Sequence, residues 1–375
     1  MPEPFKNFFN PKMIAQMGEH LAGADASFDK KTFVKLACDG LELLELRQRS
    51  DNIRDALIAT LPEDFRKACQ TMTGSLHPVD DSELGDMSMD EQGIRGWPIM
   101  PMGDVVAHRG LEDFDFAMDV LAEMTKRFSA EFAVRAFFNY DPPAAMAKAM
   151  NWANDDNFHI RRLASEGSRP RLPWGTQIPQ FIEDPGPLMP LLDNLKDDPE
   201  EYVRRSVANN INDIAKDHPD LVARIAKDWA KKGDTNRTRL IRHACRTLIK
   251  NGHQPTLAAL GYGKPKLELT ALTLSNDKVK VGQTLEFNIE LRSKASAEQP
   301  LIIDYAIHYV MANGKQSAKV YKWKQMDLKA GKTISVAKKH NIKPITTRVF
   351  YPGTHALEIQ INGQKFAKRE FELHL

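Results

Sequence analysis

Residues 155–167, DDNFHIRRLASEG, recur 43 positions later as DPEEYVRRSVANN (198–210), with Ile160 in register with Val203. A further 38 positions on, TRLIRHACRTL (238–248) brings Ile241 to the same point, and EFAVRAFF (131–138) is a weaker earlier echo. A period near 40 residues, with an apolar-Arg-Arg step on one helix, is the pattern of HEAT-like helix pairs. Each pair leaves an apolar face that only its neighbours can cover, which predicts a right-handed α-solenoid with a concave inner surface.

Helical spacing extends outward from these repeats over most of residues 1–260. Apolar residues recur at three and four in FVKLACDGLELLELRQR (33–49), DFAMDVLAEMTKRF (115–128) and DLVARIAKDWAKK (220–232), marking amphipathic helices. Asp or Ser precedes several of them, as N-caps do. Residues 75–103, rich in turn formers and acids, read as an irregular connection with one short helix. GYGKPK (261–266) ends the helical pattern with two Gly and a Pro.

Beyond it the period becomes two. Seven runs, from KLELTALTL to KFAKREFELHL, read as short strands, with Asn313-Gly314 and Asn362-Gly363 as hairpin turns. Strands at this spacing predict an immunoglobulin-like β-sandwich. It has no cysteine, so Trp323 or Tyr305 must fill its core. The expected architecture is therefore an α-solenoid of HEAT-like repeats (1–262) followed by a separate all-β domain (263–375).

Composition narrows the function classes. No stretch approaches the ~18 consecutive apolar residues of a membrane span, and the start, MPEPFKNFFNPKM, lacks the layout of a secretory signal. Three cysteines without a CxxC pair exclude a disulfide framework and fit a reducing compartment. A cytoplasmic protein is expected. Residues 264–375 carry 19 Lys+Arg against 10 Asp+Glu, while residues 1–263 carry 33 against 40. Such a basic C-terminal piece suits either a polyanion partner or a solvated lysine-rich sheet.

The 11 histidines show neither HxH nor HExxH, and the acidic run Asp80, Asp81, Glu83, Asp86, Asp90, Glu91 matches no EF-hand loop. No phosphate-loop spacing occurs, and Cys38 and Cys69 lie in apolar helical patterns that suit packing. Neither metal nor cofactor is expected.

One segment stands apart. HIRRLASEGSRPRLPWGTQIPQFI (159–182) gathers Arg161, Arg162, Arg169 and Arg171 around Glu166 and Trp174. Forked guanidinium groups suit backbone phosphates, and an indole suits a sugar or base surface. Equally, Arg162 and Glu166 are four apart and could be a plain helix salt bridge, with Trp174 a loop anchor. Asp213 lies one turn beyond Asn209, the repeat equivalent of Glu166, and Glu131 opens the earlier echo, where Arg135 is its i,i+4 neighbour. Carboxylates on a DNA-facing surface repel phosphates and so need a reason.

At these residues the chain resembles the AlkC branch of the AlkC/AlkD family of HEAT-like-repeat DNA glycosylases. The resemblance covers about 1–262 and is most specific in NFHIRRLASEGSRPRLPWG and DPEEYVRRSVANNINDIAKDHP; longer members also carry a C-terminal immunoglobulin-like domain. It implies excision of cationic, N3-alkylated bases such as 3-methyladenine from double-stranded DNA. Glu131, Glu166 and Asp213 match the catalytic carboxylates. Arg162, Arg169, Arg171 and Trp174 match the DNA-contacting pattern, with the target base left stacked. The implied protein is a cofactor-free monomer that meets the nucleoid when on DNA, its basic sandwich (Lys319, Lys322, Lys324, Lys338, Lys339) gripping phosphates. Two other readings stay open: a non-catalytic binder of damaged or distorted DNA, and a protein-interaction scaffold.

Overall fold

The computed structural model describes residues 4–78, 89–231, 233–345 and 348–375. Of the acidic run, Asp80 to Asp86 lie outside the described residues. The chain forms two compact units, Met1–Asp217 and His218–Leu375.

The first unit is helical: α1 (Pro11–Ala24), α2 (Lys30–Cys38), α3 (Leu46–Thr60), α4 (Phe65–Gly74), α5 (Ile99–Arg109), α6 (Phe114–Thr125), α7 (Val134–Tyr140), α8 (Pro142–Trp152), α9 (Phe158–Gly167), α10 (Pro179–Glu183), α11 (Met189–Leu195) and α12 (Glu201–Ile214). Asn10, Asp29, Asp64, Asp141 and Asn157 cap α1, α2, α4, α8 and α9, each side chain accepting from a first-turn amide. Packing runs mostly between neighbours in the chain, α1 on α2, α2 on α3, α7 on α8 and α8 on α9, while α9 lies against α12 one repeat later.

The run 33–49 is not one helix, as its periodicity suggested. Asp39 caps the end of α2, and Gly40 takes a left-handed conformation at φ 61° that continues no α-helix. A 3-10 turn at Leu41–Leu43 then redirects the chain into α3. Residues 131–133 likewise form a turn, so the echo helix begins at Val134 rather than at Glu131.

The second unit opens with α13 (Pro219–Ala230), α14 (Thr235–Ala244), α15 (Arg246–Lys250) and α16 (Gln254–Ala259) and continues as strands. These are β1 (Leu267–Leu274), β2 (Lys278–Lys280), β3 (Thr284–Ser293), β4 (Gln299–Val310), β5 (Gln316–Leu328), β6 (Thr333–Asn341), β7 (Gly353–Ile361) and β8 (Gln364–His374). One sheet has the order β1-β3-β6 and the other β2-β8-β7-β4-β5. Seven strands match the expected runs. The eighth, β2, is three residues long, too short to show alternation, and pairs parallel to β8.

Asn362 (φ 43°) and Gly363 (φ 75°) make the two-residue turn between Ile361 and Gln364, a geometry that needs positive φ at both positions. Inside the sandwich, Phe287, Ile289, Tyr305, Ile307, Leu357 and Ile359 are buried. In a core without a disulfide, Tyr305 is interior and Trp323 packs edge-on against Phe287, with ring centroids 5.2 Å apart.

Candidate active site

The site is built where α9 meets α12. Helix α9 buries Ile160, Leu163 and Ala164, which leaves Arg162 and Glu166 one turn apart on another face. It stops at Gly167, where a Cβ would come within 2.5 Å of Val134 Cγ2 of α7; only glycine permits that approach. The chain then enters the Arg- and Pro-rich loop before α10.

That loop is pinned from beneath by Arg135, which the sequence offered only as an i,i+4 neighbour of Glu131. Arg135 is fully buried and donates to the carbonyls of Gly167 (3.0 Å), Arg169 (2.7 Å) and Thr176. It does not pair with Glu131 as an i,i+4 neighbour. Burial, and then the nearby Arg169 charge, pull its pKa down to about 10. Leu172 and Ile178 are the loop's apolar anchors; Trp174 is not, being 73% exposed, with a left-handed φ of 64°. Such a conformation is costly for a bulky residue and tends to occur where function requires it.

Glu131, Glu166 and Asp213 fall into one charged chain. The Arg162 guanidinium donates to Glu131 and to Ser129 Oγ (2.6 Å) and lies 3.5 Å from Glu166. Arg169 Nη1 donates to Glu166 Oε1 (2.6 Å), and its Nε to Asp213 Oδ2 (2.7 Å). Ser206 Oγ of α12 donates to the other oxygen of Glu166 (2.6 Å), and Lys216 Nζ lies 2.8 Å from Asp213. The Arg162 guanidinium also sits over the Tyr202 ring, 5.0 Å from its centroid.

Burial by itself would raise the pKa of Glu166, but the charges of Arg162 and Arg169, with the Ser206 hydrogen bond, outweigh it and hold the carboxyl below its ordinary value. Burial would likewise lower Arg162 and Arg169; their carboxylate partners reverse this and raise both. Glu166 is therefore ionised at neutral pH although buried.

A cavity of about 320 Å³ opens onto this chain, lined by Glu131, Glu166, Arg169, Trp97, Phe132 and Trp174, among others. Asp213 is only 2% exposed and lies behind Arg169. The structure thus brings Glu131, Glu166, Arg169 and Trp174 to one surface and joins Asp213 to it through a guanidinium. The remaining arginines are committed too: Arg161 forks onto Asp198 (2.7 and 3.1 Å), and Arg171 onto Asp217 (2.8 and 2.9 Å).

In the second unit the five lysines separate. Lys319 and Lys338 act on buried His340, whose pKa falls to about 4, first through burial and then through Lys338, Arg348 and Lys319. Lys322 and Lys324 line a cavity of about 260 Å³ with Arg242 and Asp304, and Lys339 pairs with Glu286 at 2.7 Å. Among the described residues, no helix is long and apolar enough to cross a membrane.

These features define a class: a helical-repeat protein with a carboxylate–arginine cluster at an aromatic-walled cavity, followed by an immunoglobulin-like β-sandwich. Residues 268–375 match the family model described as the C-terminal Ig-like domain of the uncharacterised protein YhaZ. YhaZ of Bacillus subtilis (strain 168), an uncharacterised protein, is 34% identical over 371 residues, covering 98% of this chain and 99% of YhaZ. The Pseudomonas fluorescens alkylpurine DNA glycosylase AlkC, solved bound to DNA containing an abasic-site analogue, is 34% identical and superposes with a TM-score of 0.90, with 100% of each chain covered. The chain belongs to the AlkC branch of the HEAT-like-repeat DNA alkylation repair family.

Proposed function

We propose that this protein is a DNA glycosylase that hydrolyses the N-glycosidic bond of cationic N3-alkylated purines, 3-methyladenine first among them. The observation that carries the reading is Glu166, a buried carboxylate held ionised at the wall of a cavity that also exposes Glu131 and Trp174. The relation to AlkC supports the same class of substrate.

Chemically, alkylation at N3 puts a positive charge on the base. When the C1′–N9 bond breaks, its electron pair moves onto the base and neutralises that charge, so no general acid is needed. Positive charge appears instead on the deoxyribose. An ionised carboxylate already fixed nearby stabilises it without reorganising, in a site where water screens weakly. Water then adds to C1′ and releases a proton, leaving an abasic site.

The roles differ among the three acids. Glu166, with both oxygens engaged by donors, is suited to charge stabilisation rather than to taking a proton. Glu131 completes the negative wall and is the better placed to orient water. Asp213 acts through Arg169, which it shares with Glu166. Trp174 meets sugar edges, while Arg161, Arg162, Arg169 and Arg171 reach phosphate only by exchanging a carboxylate partner for it. With selectivity resting on a bond already weakened by charge, the base can stay stacked and uncharged lesions such as uracil are refused.

The test is release of 3-methyladenine from methylated duplex DNA under single turnover. Glu166→Gln should lose at least ~2 kcal/mol of barrier stabilisation, about thirtyfold in rate, with DNA affinity unchanged or improved. Asp213→Asn should show a loss in the same direction. The complete pairing of acids with arginines also fits a non-catalytic binder of damaged DNA, for which the wild-type chain would release no base; full excision by both variants would instead show a glycosylase in which these acids serve structure only.

A further inference from the structure

The described part of the helical unit carries a cluster of exposed aromatic side chains beside the carboxylate cavity. Phe5, Phe8 and Trp174 are 55%, 47% and 73% exposed; Phe5 and Phe8 pack on Trp97, and Trp174 meets the edge of Phe5. Phe8 stacks on Trp97 with centroids 5.3 Å apart and planes 12° from parallel. Phe5 lies 6.2 Å from Phe8, 5.9 Å from Trp97 and, edge-on, 6.2 Å from Trp174.

The cluster is held in place. Phe5–Phe8 is a 3-10 turn, and the next residue, Phe9, is buried edge-on against Trp97 at 5.9 Å. The buried guanidinium of Arg49 donates to the carbonyls of Lys6 (3.1 Å) and Phe9 (2.8 Å), tying the turn to α3. Exposing two phenylalanines and a tryptophan leaves about half or more of each in water and forgoes that apolar burial. Trp97 and Trp174 also line the cavity that holds Glu131 and Glu166, so the aromatic surface continues its rim.

We propose that the Phe5–Phe8 turn, with Trp174, is a nucleobase-stacking shelf for a base flanking or opposite the lesion, unstacked from the duplex next to the sugar at Glu131 and Glu166. The inference rests on the deoxyribose reading of that cavity. Flat, exposed rings at the edge of such a site match the platforms on which bases stack and the wedges that open base steps in bent DNA. A scaffold partner would need apolar area, which leucine supplies equally; here every exposed member of the cluster is aromatic.

The experiment is a coupling measurement on duplexes with a tetrahydrofuran abasic analogue at the lesion position. Single bases flanking or opposite the analogue are deleted in turn, and the Kd is measured for the wild-type chain, for Phe5→Ala/Phe8→Ala and for Phe5→Leu/Phe8→Leu. At one position, deletion should weaken wild-type binding about fivefold or more and leave binding by both variants nearly unaffected. The leucine pair preserves apolar packing, and its unfolding midpoint should stay at the wild-type value. If no position couples, or if the leucine variant couples as wild type does, the shelf is wrong. Binding is read without excision, so the two proposals fail separately. Coupling without any 3-methyladenine release removes the glycosylase and keeps the shelf, and release without coupling does the reverse.

Discussion

At the scale of single residues, Glu166 concentrates the physics of this protein. Burial pushes its carboxyl up, and Arg162, Arg169 and Ser206 reverse that and hold it below its ordinary value. Removing one donor tests this. In Ser206→Ala the carboxyl loses the hydrogen bond to Oε2 and its pKa rises. Activity that needs ionised Glu166 is present above the pKa and lost below it, so the acid limb of the pH–rate profile should move to higher pH. A slower variant with an unmoved limb would show that the limb reports another group. The same sign governs stability. Because the folded pKa lies below the ordinary 4.5, Glu166 stabilises the fold above that value, and the contribution disappears as pH falls through the lower folded pKa. The i,i+4 relation of Arg162 and Glu166 is legible in sequence; the pairing of Glu131 with Arg162, Ser206 with Glu166 and Asp213 with Arg169 is not, since those partners arrive from elsewhere in the chain.

At the scale of elements, the deciding piece is the loop between α9 and α10. Its sequence announces irregularity but not rigidity. Rigidity comes from Arg135 on α7, whose planar fork meets carbonyls of Gly167, Arg169 and Thr176 at once. Lysine, with one compact ammonium on a flexible stem, cannot serve all three. Arg135→Lys should therefore destabilise the protein by about 1–3 kcal/mol through unsatisfied buried carbonyls, read as a lower denaturation midpoint. Excision should fall with it, because Arg169 and Trp174 ride on that loop. An unchanged midpoint would mean that the loop holds itself. The run 33–49 shows the opposite kind of limit. Its apolar spacing continues through Asp39-Gly40 as though helical, and one left-handed glycine ends the helix there.

At the scale of the whole molecule, charge is divided between the ends of the chain, and a polyelectrolyte partner should feel that division. Each phosphate contact contributes about 0.9 to the slope of log affinity against log salt concentration. Replacing Lys319, Lys322, Lys324 and Lys338 by glutamine in the full chain should flatten that slope by about 0.9 for each contact removed. A parallel line of unchanged slope would assign the lysines to solvation alone. Arg161, Arg162, Arg169 and Arg171 find acids 31 to 46 residues away, about one repeat length. Stacked repeats bring residues one period apart into contact, so the period that betrays the fold also explains why phosphate-binding arginines and internal ion pairs look alike in the sequence.

What the sequence determined by itself is local and periodic: helices from spacing and caps, strands from alternation, the turn at Asn362-Gly363 from backbone chemistry, and the repeat from its recurrence. Each depends on neighbours within a few positions or on self-similarity. Only the tertiary structure decided that Glu131 and Glu166 share a cavity while Asp213 stands behind Arg169, and that Phe5 and Phe8 border the same rim. Those outcomes depend on which helix faces meet and on how a buried charge is satisfied, and a linear order of residues carries neither.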